Sequence, residues 1–415
     1  MARKSLGQLA ESLWNFDIYK LDIESKRRLR RTVRLLMIPV AATFSALLLL
    51  TTRFPMFPQP DAAGQIATGF VIFSGPLSGM TPSVSYGPET SIYWLILIIN
   101  TYLLGLGGEV VLSVIDVWMY GVTNHDEYPW EDVVVYKIGA LFIAVTPLLF
   151  FYSDIAGFLI RAMIALFEYL RYVGHSVGLG LRVPFVLLVG LSLLLDDLLF
   201  YVGHRLSHNV RFIWKLGHVN HHRTQRLTRL TASPDFQFFF LNGSRGSFVT
   251  QVIGRSFFTV LIGDVTPNQA VGGAALATLI RFMSSATAHS LACYVLFAKC
   301  RWLAVLEEVF VIGRVHYVHH SSLPEHNLAN GCNFAATFSV WDKLFGTFAR
   351  APHEVPPTGL FHDEDLPGNP WKFAYAEWVK LLLELKRNRL QHWGQILFGP
   401  ADYEPPTPGH SGRLC

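Results

Sequence analysis

The sequence predicts an all-α protein: a polytopic membrane helical bundle of four to six spans, with a cytoplasmic helical layer holding a histidine-rich dimetal site. Three observations predict it. The composition is 51% hydrophobic and only 15% charged, against roughly a quarter charged in soluble domains. Apolar runs near the length that crosses a bilayer recur along the chain. Three tight histidine boxes lie beside the later runs: His204-Arg-Leu-Ser-His208, His218-Val-Asn-His221-His222 and His316-Tyr-Val-His319-His320.

Residues 1–34 form a polar N-terminal surface segment, closed by the basic cluster Lys26-Arg27-Arg28-Leu29-Arg30-Arg31. The apolar run behind it starts too late for a cleavable signal peptide, so it is expected to be an uncleaved first span with the N-terminus on the positive side. The region 35–182 then holds N-terminal spans and loops, 183–350 the catalytic domain, and 351–415 a C-terminal tail with a surface helix near 372–393. Candidate spans run over about 35–51, 92–115, 137–153, 183–202, 246–263 and 270–298. A spanning helix needs roughly twenty apolar residues. The last two carry Arg255 and Arg281 mid-segment, where a charge is costly unless it faces protein. Four spans are therefore better supported than six, the last two reading as a shallow hairpin or a cavity lining. An even number of spans between the second and third boxes brings every box to one side. The basic residues of 203–245 make that side cytoplasmic.

The formal net charge of +4 is small, and the basic residues do not form an aromatic-interleaved surface, so no nucleic-acid partner is expected. Cys293, Cys300, Cys332 and Cys415 include no C-x-x-C pair. They read as reduced thiols facing a cytoplasm.

Eight of the sixteen histidines lie in the three boxes. Imidazole nitrogen suits zinc, iron, copper and nickel. Residues four apart on a helix share a face, so His204 and His208 can meet one ion. Each H-x2-HH offers the same at i and i+3 or i+4. Eight ligands are too many for one tetrahedral zinc and about right for two metals with positions left open. Three function classes stay open on this basis: a dimetal oxygenase, a zinc-dependent membrane hydrolase, and a non-catalytic metal-binding protein or transporter. The hydrolase is disfavoured by the ligand number and by the lack of an H-E-x-x-H motif. The transporter is disfavoured because ligands along a path would sit inside the spans.

With the boxes placed, the segment 185–350 resembles the fatty acid hydroxylase/sterol desaturase superfamily of membrane diiron enzymes. The resemblance rests on Asp197…Tyr201…His204-Arg205…His208, on Trp214 before box two, and on the lone His289-Ser290 ahead of box three. It extends to Asn333-Phe334 and Trp341-Asp342-Lys343-Leu344-Phe345-Gly346-Thr347. The chain departs from the family pattern at Leu291, where asparagine often follows the histidine. Gly331 replaces a usual aspartate and Ala335 a usual glycine. The resemblance implies two iron ions held by the boxes plus His289. It also implies that Asp197, Asn333 and Asp342 support the ligand histidines from behind. Asp197 would accept a ring N–H from a ligand histidine, with span capping or pairing to Arg205 as the alternative. The implied chemistry is O2-dependent hydroxylation of a lipid C–H bond, fatty acyl or sterol-like, with desaturation as the alternative. Electrons would come from an external NAD(P)H-linked donor through a separate protein (cytochrome b5-like, ferredoxin or reductase). The expected location is integral to the bilayer with the catalytic side cytoplasmic, a bacterial inner membrane being favoured over endoplasmic reticulum. His326 is expected to be a surface-loop histidine outside the site.

Overall fold

The computed structural model describes residues 6–36, 110–123, 127–151, 169, 185–232, 280, 284, 287–327, 330–360 and 368–406. The described residues are helical. They contain no β-strand, only the isolated bridges Phe310–Phe338 and Ser321–Thr358.

Helix α1 covers Leu6–Trp14, and residues 23–36 and 110–123 are also helical. Helix α2 covers Trp130–Phe151, with Glu131 and Asp132 in its first turn, where carboxylates complement the helix dipole. Helix α3 covers Phe185–Asn209 and carries the first box in its last two turns. These two helices overlap most of the expected spans at 137–153 and 183–202. No helix among the described residues is long and apolar enough to cross a membrane. The expected spans at 35–51, 92–115 and 246–263 lie wholly or largely outside the described residues, as does most of 270–286, while 287–298 is described and holds a helix that begins at Leu291. Apolar side chains nonetheless face outward in rows. Leu187, Leu191, Leu194, Val202 and Leu206 are exposed on α3, and Val111, Val114, Ile115, Trp118 and Val122 on the helical residues 110–123.

The chain then winds through α4, residues 211–222. It starts as α-helix, passes through a π-helical stretch at Trp214–His218 that kinks at Gly217, and closes as α-helix over Val219–His222. Such π insertions are frequent at functional sites. Helix α5, Leu291–Lys299, is capped by the Ser290 hydroxyl, which accepts the Cys293 N–H at 3.1 Å. Helix α6, Arg301–Leu306, leads to α7, Arg314–His319, which carries the third box. Helix α8, Val340–Leu344, turns the chain back onto α3.

The C-terminal segment is more than a surface helix. The expected single helix near 372–393 is two, α9 at Pro370–Arg387 and α10 at Leu390–Phe398, because the helical dihedrals break at Asn388 and Arg389. Asn369 caps α9 through its carboxamide oxygen, while its Nδ2 donates to the carbonyls of Leu13, Trp14 and Phe16. Helix α9 lies along α2, with Phe142 stacked on Trp371 at 4.0 Å and Tyr136 edge-on to Phe373 at 4.9 Å. A Cβ on Gly139 would stand 2.4 Å from the Phe373 ring, so this approach requires glycine.

The other side of α9 grips α4. Glu377 accepts from Lys215 and Arg223, both at 2.6 Å, and all three side chains are buried. Arg211 makes a bidentate pair with Glu384 at 2.7 and 3.0 Å and donates to the Ile396 carbonyl. Trp378 donates to the Leu216 carbonyl. The second box is thus held from outside by the C-terminal helices.

Candidate metal centre

The three boxes converge. The imidazoles form two groups in which the ligand nitrogens all lie within 4.8 Å of one another: His204, His208, His218, His222 and His319 in one, and His221, His289, His316 and His320 in the other. All nine expected ligands are brought together, and His326 belongs to neither group. His326 is buried, against the surface-loop expectation, although Pro324, Glu325 and Asn327 beside it on the 3-10 turn are exposed.

The partition follows helical geometry. His204/His208 and His218/His222 are i, i+4 pairs, and both serve the five-histidine group. His316/His320 is the i, i+4 pair of the four-histidine group. The remaining histidine of each H-x2-HH lies at i+3, about 100° round its helix from the i+4 residue. It crosses to the other group: His221 joins His316 and His320, and His319 joins the first two boxes. The groups abut, with His222 and His320 stacked at 4.4 Å.

Eight of the nine rings are buried and His289 is half-buried. Burial, reinforced by the neighbouring imidazoles, holds His208, His218, His222, His316, His319 and His320 well below the usual histidine value. They are neutral at physiological pH, the state in which imidazole ligates a metal.

Several nitrogens are poorly served by protein alone. Nε2 of His222, Nε2 of His319 and Nδ1 of His320 are buried with no hydrogen-bond partner. His208 and His218 turn Nε2 to Nε2 at 2.8 Å, and His316 meets His289 and His320 the same way at 3.1 and 3.2 Å. Buried polar atoms without partners are costly. A cation between the rings would give these lone pairs a common acceptor. The residues fit two metal ions.

Backbone carbonyls orient the rings. Nδ1 of His204 donates to the Phe334 carbonyl at 2.7 Å, and Nδ1 of His319 to the Cys332 carbonyl at 2.6 Å. Each bond fixes the tautomer that presents Nε2 to a metal. The three expected supporting residues hold the segment that carries these carbonyls. Asn333, at φ 52°, donates through Nδ2 to Val315 and Ala349 and accepts the Ala349 N–H. Asp342 accepts the N–H groups of Phe334 and Ala335 and the Thr347 hydroxyl. Burial pushes its carboxyl up to about 6, against these hydrogen bonds. Asp197 accepts the N–H groups of Ala336, Thr337 and Phe338 at 2.8 to 3.0 Å. The bonds of Asp197 therefore act on ring orientation through the 333–338 backbone, where the expectation was a ring N–H.

Two aromatic residues wall the five-histidine group. Phe334 lies 5.1 to 5.7 Å from the rings of His208, His204 and His319, and Trp214 lies 5.2 to 5.7 Å from those of His208, His222 and His218. Gly331, where the family usually has aspartate, sits at φ +130°. A Cβ there would stand 3.0 Å from Phe334 and 3.3 Å from Nδ1 of His208. The glycine leaves room for the wall.

Sequence reasoning missed Asp116 and Arg229. Asp116 is fully buried and accepts from Ser290, Ala292 and Arg229, and Arg229 reaches His289. Asp116 lies more than 100 positions from these partners, and no spacing motif announces them.

No curated protein and no solved structure gives a significant match. Residues 189–347 match the family model described as fatty acid hydroxylase, a stretch that contains all nine histidines of the two groups. Over this segment the chain is similar to the fatty acid hydroxylase family, an oxidoreductase family that agrees with the superfamily the box spacing and flanking motifs resemble.

Proposed function

We propose that the protein is a membrane-bound diiron oxygenase that hydroxylates a C–H bond of a lipid, fatty acyl or sterol-like, using O2 and electrons from a separate NAD(P)H-linked donor protein. The observation that carries this reading is the division of nine imidazoles into adjacent groups of five and four. A catalytic zinc uses three protein ligands and one open position, which leaves most of these histidines unexplained. Two ions explain all nine, and the hydroxylase match over 189–347 favours iron.

Two irons held here would supply O2 activation and hydrogen abstraction from an unactivated C–H bond. The protein's own contribution is position and exclusion. His204 and His319, keyed to the carbonyls of Phe334 and Cys332, aim Nε2 inward. Phe334 and Trp214 keep water from the rings they touch. Neutral imidazoles add no negative charge, so metals held here would stay cationic. The outward apolar rows on α3 and on residues 110–123 support a bilayer setting, since exposed contiguous apolar surface marks membrane or partner contact. A lipid substrate would reach the site from that side.

The test is a comparison of lipid extracts from cells expressing wild type and His319→Ala, read by mass spectrometry. A lipid that gains one oxygen atom only with wild type supports hydroxylation. A lipid that loses two hydrogens establishes desaturation at the same site. An unchanged lipid profile in an iron-loaded protein contradicts the oxygenase reading.

A further inference from the structure

The two histidine groups are held differently, and the difference centres on His289. His204 and His319 each turn Nδ1 to a carbonyl, which accepts an N–H, so Nε2 keeps its lone pair. His289 faces the opposite kind of partner. Nη1 of Arg229 lies 3.3 Å from its Nδ1. A guanidinium carries five N–H donors and no acceptor. Nδ1 of His289 is therefore the acceptor, and the proton of the neutral ring sits on Nε2, the atom 3.1 Å from Nε2 of His316.

This contact is built by a third residue. Asp116, from the helical residues 110–123, is fully buried. Its Oδ2 accepts the Arg229 backbone N–H at 2.8 Å, and its Oδ1 accepts the Ser290 hydroxyl at 2.6 Å and the Ala292 N–H at 2.9 Å. One carboxylate thus ties the backbone of the arginine to the residues directly following the histidine.

We propose that Arg229, placed by Asp116, is a positioning residue that makes His289 the weak, exchangeable ligand of the four-histidine site, so that the open coordination position lies there. This rests on the dimetal reading above. For Nε2 of His289 to take a metal, its proton must move to Nδ1, where it meets an N–H donor in place of an acceptor. The guanidinium charge also repels a cation bound close by. His289 is the half-buried member of the nine, where the other eight are buried.

The test is titration of metal-free full-length protein with Co(II), read by absorbance and calorimetry, in wild type, Arg229→Gln, Arg229→Met and Arg229→Lys. Wild type is expected to bind in two steps, the five-histidine site first and tighter. The neutral variants should tighten the second step about tenfold, the lower end of what an outer partner of a ligand is worth. They should leave the first step unchanged. Arg229→Lys keeps a cationic donor and should behave as wild type. A second step unchanged or weakened in whichever neutral variants fold, or tightened equally by lysine, overturns the proposal. Loss of both steps in both neutral variants does so too, since the guanidinium would then be holding the fold. Wild type that binds no metal in two steps refutes the dimetal reading itself, an outcome distinct from a failure of the Arg229 role.

Discussion

At the residue scale, the chemistry rests on which atom of each imidazole holds its proton. The carbonyls of Cys332 and Phe334 settle this for His319 and His204, and both belong to a segment pinned by Asn333, Asp342 and Asp197. Asp342→Ala strands the N–H groups of Phe334 and Ala335. It should lower metal affinity about 10- to 100-fold, measured by competition with a chelator. Gly331→Asp, which restores the residue usual in the family, forces a side chain onto Phe334 and His208 at a positive φ. It should destabilise by about 1–3 kcal/mol and reduce bound metal, both seen in thermal melts with and without added metal. A stable, fully loaded variant would show that the wall has slack. Eight of the nine clustered histidines were legible in the sequence because a helix brings i, i+3 and i+4 close together, a local relation; His289, which stands alone, was reached only through the family resemblance. Their division was not, because the crossing of His221 and His319 depends on how α3, α4 and α7 meet.

At the element scale, α9 is the outer support of α4. Burial alone would raise the Glu377 carboxyl, but the Arg223 and Lys215 charges outweigh it and hold the group at about 2. A carboxyl lowered from 4.5 to about 2 contributes about 3 kcal/mol at neutral pH. That contribution is fully present above the unfolded value and is lost as pH falls through the folded one. Glu377→Gln should therefore be less stable than wild type by about 3–5 kcal/mol at pH 7, since two buried cations lose their partner. The gap should shrink as pH falls from about 4.5 towards about 2. Denaturation at a series of pH values checks this, and a gap independent of pH would mean that the ion pairs are not what docks α9. An amphipathic C-terminal helix was legible from its apolar spacing. Its partner was not, because Glu377 meets residues more than 150 positions away.

At the scale of the whole molecule, the N-terminal segment, α2, the box-bearing helices and the C-terminal helices join around one centre. Asn369 binds the carbonyls of residues 13, 14 and 16, and Asp116 reaches the helix that follows His289. The outward apolar rows on α3 and residues 110–123 lead to the expectation that the chain stays in the membrane pellet through an alkaline carbonate wash. Release into the supernatant would contradict the bilayer setting. Helical class and metal site were both legible in composition and motif, whereas the number of spans rests on segments outside the described residues.

The most direct test of the central claim is elemental analysis with Mössbauer spectroscopy on protein purified from iron-57-fed cells, wild type beside His320→Ala. The account predicts two irons per chain in wild type, giving two inequivalent signals, one from five imidazoles and one from four. It predicts that His320→Ala selectively loses the four-histidine signal. A single iron, a single zinc, or equal loss of both signals in the variant would contradict it.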